Sequence, residues 1–112
     1  MTLFEKIANH EIPATIVHED ADLVAFQDIN PQAPQHIIII PRRAIASIDD
    51  VEPGDAELLG KMIVLAKQLA RETGVANNGY RLVFNCGPDA GQSVDHIHLH
   101  LLGGRELDWP PG

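Results

Sequence analysis

Basic residues are scarce in this sequence: Lys and Arg number 8 against 16 Asp and Glu, a formal net charge of −8. Nucleic-acid binding draws its affinity mainly from cations set on phosphates, so a nucleic-acid surface is disfavoured. The same deficit means that a phosphate site in this chain must rely on local donors rather than on a positive field over the whole molecule. Cysteine is nearly missing; the single Cys86 excludes an internal disulfide and fits a reducing, cytoplasmic compartment. No apolar run approaches the length needed to span a bilayer. The opening residues, Met1 to Lys6, lack the charged-then-apolar layout of a signal peptide. Internal repeats and low-complexity segments are also missing. The expectation is a soluble intracellular protein with no membrane partner. Its 112 residues, 45 % apolar and 21 % charged, are enough for one domain, 1–112, around a single core.

What the chain does have is histidine, concentrated in His96-Ile97-His98-Leu99-His100-Leu101-Leu102. Strict alternation of polar and apolar residues predicts a half-buried strand. On it His96, His98 and His100 share one face, and Ile97, Leu99 and Leu101 the other. Alternate residues of a strand lie roughly 6.5–7 Å apart, so neighbouring imidazoles can serve one small ligand.

The rest of the chain supplies the frame. Thr2 and Glu5 are spaced as a capping box for a short helix over 3–9 that ends before Pro13. Thr15–Glu19 and Leu23–Gln27 read as a hairpin around the turn Asp20-Ala21-Asp22. The segment Asp28–Pro34, with its prolines and Asn30, is a loop. His36–Ile40 carries four isoleucines in a row, which predicts a central strand covered on both faces and stopped by Pro41. Val51–Thr73 is the one long helix, with Pro53 in its first turn, Gly74 at its C′ position and Leu58, Met62, Leu65, Ala66 and Leu69 on one stripe. After the turn Asn77-Asn78-Gly79, Tyr80–Asn85 is a strand, expected at the sheet edge, and Gly87–Ser93 is a loop. Five strands and one long helix make an α+β domain, a five-stranded antiparallel sheet with a short N-terminal helix. The long helix should cover the Ile97, Leu99 and Leu101 face, leaving the histidines to look out of the opposite one.

Three readings of the histidine face are open. It can hold a metal, since alternate histidines of a strand can chelate zinc, although no carboxylate cluster of obvious spacing supports one. It can attack phosphorus through an imidazole nitrogen while its neighbours hold phosphate oxygens. Or it is a solvated polar face. The loop before it favours phosphate: Gly87 and Gly91 permit a tight turn that presents N–H groups to an anion, and Gln92 and Ser93 add neutral donors. Imidazole suits the task because near neutral pH it keeps an unprotonated nitrogen, and a carbonyl on its second nitrogen decides which one attacks.

The run His96–Leu102 resembles the His-φ-His-φ-His-φ-φ motif of the histidine triad superfamily. Gly91-Gln92-Ser93 before it, Leu102-Gly103-Gly104-Arg105 after it, Trp109-Pro110-Pro111-Gly112, and Asp28 to Pro34 leading into His36 are similar to its histidine triad nucleotide-binding branch. Asp95 departs from the pattern, standing where many relatives are expected to carry an aromatic. The resemblance implies a homodimer whose sheets join into one, and cofactor-free hydrolysis of purine nucleoside 5′-phosphoramidates through a nucleotidyl-histidine. It implies His98 as nucleophile, and His100 and Ser93 near the phosphate oxygens or leaving group. His36 and His96 would support them, the His96 carbonyl orienting His98. Asp28 would bind ribose hydroxyls, with Ile29 beside the nucleoside, Asn85, Gly91 and Gln92 completing the phosphate site, and Trp109 in the substrate-binding set. Neighbouring branches cleave dinucleotide polyphosphates instead. A zinc-dependent hydrolase and a non-catalytic nucleotide-binding module are also compatible with these residues.

Most of these residues have a plainer structural reading. His36 is then a surface histidine, Asn85 a strand end, Asp28 a turn cap and Trp109 a core residue. His10 and His18 are expected at the surface, and Cys86 as a small packed residue.

Overall fold

A computed structural model describes all residues 1–112. The order of elements is helix α1 (Leu3–Ala8), strands β1 (Ile16–Glu19), β2 (Leu23–Gln27) and β3 (Gln35–Pro41), helix α2 (Ala56–Glu72), then β4 (Tyr80–Phe84) and β5 (Leu99–Gly103). The strands form one antiparallel sheet in the order β1-β2-β3-β5-β4. The isoleucine strand is therefore the middle one, and β4 is an edge.

Two apolar layers sandwich the sheet. On one face Leu23, Ala25, Ile37, Ile39, Leu99 and Leu101 pack against Met62, Leu65, Ala66, Leu69 and Ala70 of α2. On the opposite face, Val24, Phe26, Ile38 and Ile40 pack against Phe4, Ile7 and Ala8 of α1. Consecutive isoleucines of β3 thus serve opposite layers, and burying each side chain contributes about 1.5–3 kcal/mol. The capping box is present: Glu5 N–H donates to Thr2 Oγ1 and the Glu5 carboxylate accepts from Thr2 N–H. The Asp20 carboxylate accepts the Asp22 and Leu23 N–H groups, which closes the first hairpin.

Several boundaries differ from expectation, each for a local reason. The long helix starts at Ala56, because Pro53–Asp55 winds as a separate 3-10 turn; its end is as expected, with Gly74 in the left-handed region at φ 84°. Pro41 does not stop β3 short but pairs with Leu23. The largest correction concerns the histidine run, of which only Leu99 onward is strand. Register places Ile97 opposite Pro41, which has no N–H to give a ladder. The Ile97 N–H goes instead to Ile45 C=O at 2.7 Å, and the Pro41 carbonyl is taken by the His96 ring. Residues 96–98 are therefore a bent lead-in to β5 rather than its first half.

Candidate active site

The bend separates the three histidines. His98 and His100 remain neighbours, ring centroids 5.0 Å apart, while His96 is wholly buried behind them. Nor does this face look out freely: α1 crosses it, and Phe4 meets the His98 ring edge-on at 4.9 Å. Between α1 and the sheet lies a cavity of about 260 Å³. Phe4, Ile7, Ile12, Phe26, Ile29, Ile38 and Val94 give it apolar walls, and Asp28, Ser93, His98 and His100 stand along it. It contains no lysine or arginine, in keeping with the need for local donors.

Hydrogen bonds fix the proton on each ring. The Gln32 N–H donates to His36 Nδ1 at 3.0 Å, so the neutral ring carries its hydrogen on Nε2. That Nε2–H faces His100 Nδ1 at 2.9 Å, which leaves the hydrogen of His100 on its own Nε2. His98 Nδ1 lies 2.8 Å from the His96 carbonyl, which can only accept. Its hydrogen is therefore on Nδ1, and its Nε2 lone pair is free. The bond between the His96 carbonyl and His98 that the resemblance implies is thus present. Side by side stand one imidazole with a bare nitrogen and one with an N–H donor.

Burial pushes His36, His96 and His100 below their ordinary 6.5. His100 falls to about 4, with charge on His98 and His36 adding to burial and Asp28 opposing it. Asp28, one oxygen accepting from Asn30 N–H, brings its second oxygen to 3.5 Å from His36 Nε2. One ligand atom each of Asp28, His36 and His100 lies within 4.8 Å of the others, a carboxylate–histidine cluster that sequence spacing conceals. His36 is buried, which removes its surface reading.

These depressed values carry a stability prediction. In the unfolded chain the rings titrate near 6.5; in the folded protein all three are held lower, His100 at about 4. Between about 6.5 and about 4 the unfolded chain binds more protons, so stability is complete above this window and is lost as pH falls through it. The slope is at most about 1.4 kcal/mol per pH unit for each ring. Asp20, held at about 2 by its bond to His18, loses its contribution only below 3.8. Thermal melts from pH 8 to 4.5 should show Tm falling below about 6.5; a flat Tm would contradict the burial of neutral imidazoles.

In the loop before the histidines three of the backbone N–H groups have partners within the loop itself. Gly87 N–H donates to Gln92 Oε1, Gly91 N–H to Pro88 C=O, and Gln92 N–H to Gly87 C=O. The Gln92 amide also donates to the carbonyls of Ala46 and Val94, and the Asn85 amide to that of Ala90. Asn85, Gly91 and Gln92 therefore brace the loop that carries Ser93 to the cavity. Trp109 is 82 % exposed and lines neither the cavity nor the core. Cys86 is exposed rather than packed, and Asp95 is exposed, its charge in solvent. Sequence reasoning missed Phe4, Ile7, Ile12, Phe26 and Val94 as cavity walls, and Thr2, whose Oγ1 lies 2.8 Å from His96 Nδ1. Only the capping box, which announces α1, hinted at any of them.

The chain is similar to known proteins over nearly its whole length. The model of the HIT domain matches residues 9–107. A 14 kDa zinc-binding protein of Zea mays is 50 % identical over 113 residues, covering 99 % of this chain and 88 % of its own. The crystal structure of a HIT family hydrolase from Legionella pneumophila Philadelphia 1 superposes with a TM-score of 0.98 at 56 % identity, covering all of both chains. That of a histidine triad nucleotide-binding protein from Candida albicans gives 0.84 at 30 % identity, covering 98 % of this chain and 83 % of the Candida chain.

Proposed function

The chain belongs to the HIT domain family, and from that premise we propose that it hydrolyses purine nucleoside 5′-phosphoramidates through a nucleotidyl-histidine. One observation carries the reading: the His98 Nε2 lone pair stands beside the His100 N–H donor on an apolar cavity. The base packs among Phe4, Ile7, Phe26 and Ile29, and Asp28 accepts from the ribose hydroxyls. His98 Nε2 attacks phosphorus and the P–N bond to the amine breaks. The amine leaves with the bonding pair and takes a proton from the His100–Ser93 side of the cavity, His100 Nε2–H or the Ser93 hydroxyl. The new positive charge on His98 is shared with the His96 carbonyl through Nδ1–H. Water then attacks the same phosphorus and returns a proton to the donor that protonated the amine, the bond to His98 breaks, and nucleoside monophosphate and neutral His98 are released.

His100 and Ser93 meet the phosphate oxygens and the leaving amine. An imidazole that titrates near 4 is neutral at pH 7 and serves as a hydrogen-bond donor; an arriving phosphate anion raises that value toward useful acidity. A phosphoramidate gains more from such a donor than a dinucleotide polyphosphate, whose leaving group is already a stable anion. The monophosphoramidate is therefore the favoured substrate.

Mixing the protein with adenosine 5′-phosphoramidate and quenching within one turnover should give a histidine adduct heavier by one adenylyl group. Steady-state assays should show adenosine monophosphate released with the chelator present. Multiple turnover with no adduct, or retention of the amine, would overturn the reading. A second reading, zinc-dependent hydrolysis, is favoured by the Asp28, His36 and His100 cluster and by the name of the maize relative, a zinc-binding protein. Two imidazoles and a carboxylate suit zinc, which would supply Lewis acidity at phosphorus. Activity lost in chelator and restored by zinc would select it.

We further propose a homodimer joined through edge strand β4. That strand leaves half-buried Leu82 and Phe84 at the sheet edge, with exposed Ile63 on α2. A monomer mass in light scattering at micromolar concentration would refute it. The exposed thiol of Cys86 supports placing the protein in the reducing cytoplasm.

A further inference from the structure

The hydrogen bonds behind His98 continue past His96 into the first helix. Pro41 C=O only accepts, so His96 Nε2, 2.7 Å away, carries the ring hydrogen. His96 is wholly buried, and burial disfavours its charged form. Its Nδ1 must then accept, and the group beside it is the Thr2 hydroxyl at 2.8 Å. That hydroxyl has one hydrogen, which goes to His96, and its oxygen accepts Glu5 N–H at 3.0 Å. The Glu5 carboxylate closes the circuit on Thr2 N–H at 2.9 Å. Each hydrogen bond from the helix cap to the His96 ring thus has one possible direction.

We propose that Thr2 is a positioning residue for His98: its hydroxyl holds His96 in the Nε2–H tautomer and, through the His96 carbonyl, keeps the His98 Nε2 lone pair aimed into the cavity. The catalytic part of this inference rests on the function proposed above. The structural consequence is that one side chain ties α1 to the residues it covers. When Thr2 caps the helix, Phe4 closes on His98 and the His96 carbonyl is set, so the covered cavity and the oriented nucleophile form together.

Two substitutions separate positioning from simple capping. Serine keeps both the acceptor and the hydroxyl hydrogen. Aspartate caps a helix as well as serine does but has no hydrogen to give. Its carboxylate would face the bare Nδ1 and favour a proton there. In Thr2→Asp, kcat for adenosine 5′-phosphoramidate should fall on the order of tenfold to a hundredfold, the range for removing a partner that orients a functional histidine. KM should be nearly unchanged, and Thr2→Ser should restore kcat. The second readout needs no substrate: nitrogen NMR of the free protein should show His96 protonated on Nε2 and His98 on Nδ1 in the wild type and Thr2→Ser, and proton density moved onto His96 Nδ1 in Thr2→Asp. Wild-type kcat in Thr2→Asp would overturn the proposal, as would a loss of kcat with the His96 nitrogen shifts unchanged. If the wild type turns over no phosphoramidate, the proposed function fails, and the nitrogen shifts still decide whether Thr2 sets the tautomer.

Discussion

Replacing His98 by alanine is expected to lower kcat on adenosine 5′-phosphoramidate by on the order of 10⁴-fold or more, as removal of a covalent nucleophile does elsewhere. Binding of adenosine monophosphate should change little. The reason for the split is spatial. The groups that would hold the nucleoside, Phe4, Phe26, Asp28 and Ile29, come from α1, β2 and the loop after it. His98 comes instead from the lead-in to β5. Its ring hydrogen bond is to the His96 carbonyl alone, so the truncation leaves one backbone acceptor to be satisfied by water. Rapid-quench kinetics with calorimetric binding measures both quantities. Turnover within tenfold of wild type would remove His98 as nucleophile, and loss of binding in parallel with turnover would mean the ring holds the nucleotide rather than attacking it.

Phe4→Ala should have the largest effect on stability. Phe4 is 5 % exposed; its ring stands 5.5 Å from Phe26, 4.9 Å from His98 and 6.0 Å from His96. Truncating a buried Phe costs about 3–5 kcal/mol through lost transfer energy and the cavity left behind. For a domain of this size that lowers Tm on the order of 10–20 °C. α1 has only six residues, too few to be stable alone. Its docking depends on this ring and on Ile7, so the variant should also loosen the apolar wall against His98 and raise KM. Calorimetry and steady-state kinetics test both. A loss under about 1 kcal/mol would mean that α1 contributes little to the folded state.

The two variants probe the features least visible in the sequence. The alternation of His96 to Leu102 suggests an open strand face bearing three histidines. In the fold that face is covered, and the first of the three is withdrawn into the core. Nothing local to the run reveals this. Pairing fails because Pro41, which register sets opposite Ile97, has no N–H, and cover comes from a helix at the far end of the chain. The glycine loop likewise suggests free N–H donors, but whether an N–H is free depends on where the Gln92 side chain folds back.

What the sequence by itself determined are the features set by neighbours along the chain. The Thr2 and Glu5 cap, the Asp20 turn, strand β2 residue for residue, the central place of the isoleucine strand and the buried stripe of α2 all follow from backbone geometry and period, which act over a few residues. The α+β architecture follows from adding them. Tertiary structure decided which nitrogen of each histidine carries a hydrogen, because that depends on Gln32, Pro41, Thr2 and a partner histidine sixty-four residues away. It also decided that Asp28, His36 and His100 form one cluster, that a cavity exists beneath α1, and that Trp109 stands in solvent. These are long-range contacts between groups whose sequence separation carries no period, and only the packing of the two layers on the sheet brings them to hydrogen-bonding distance.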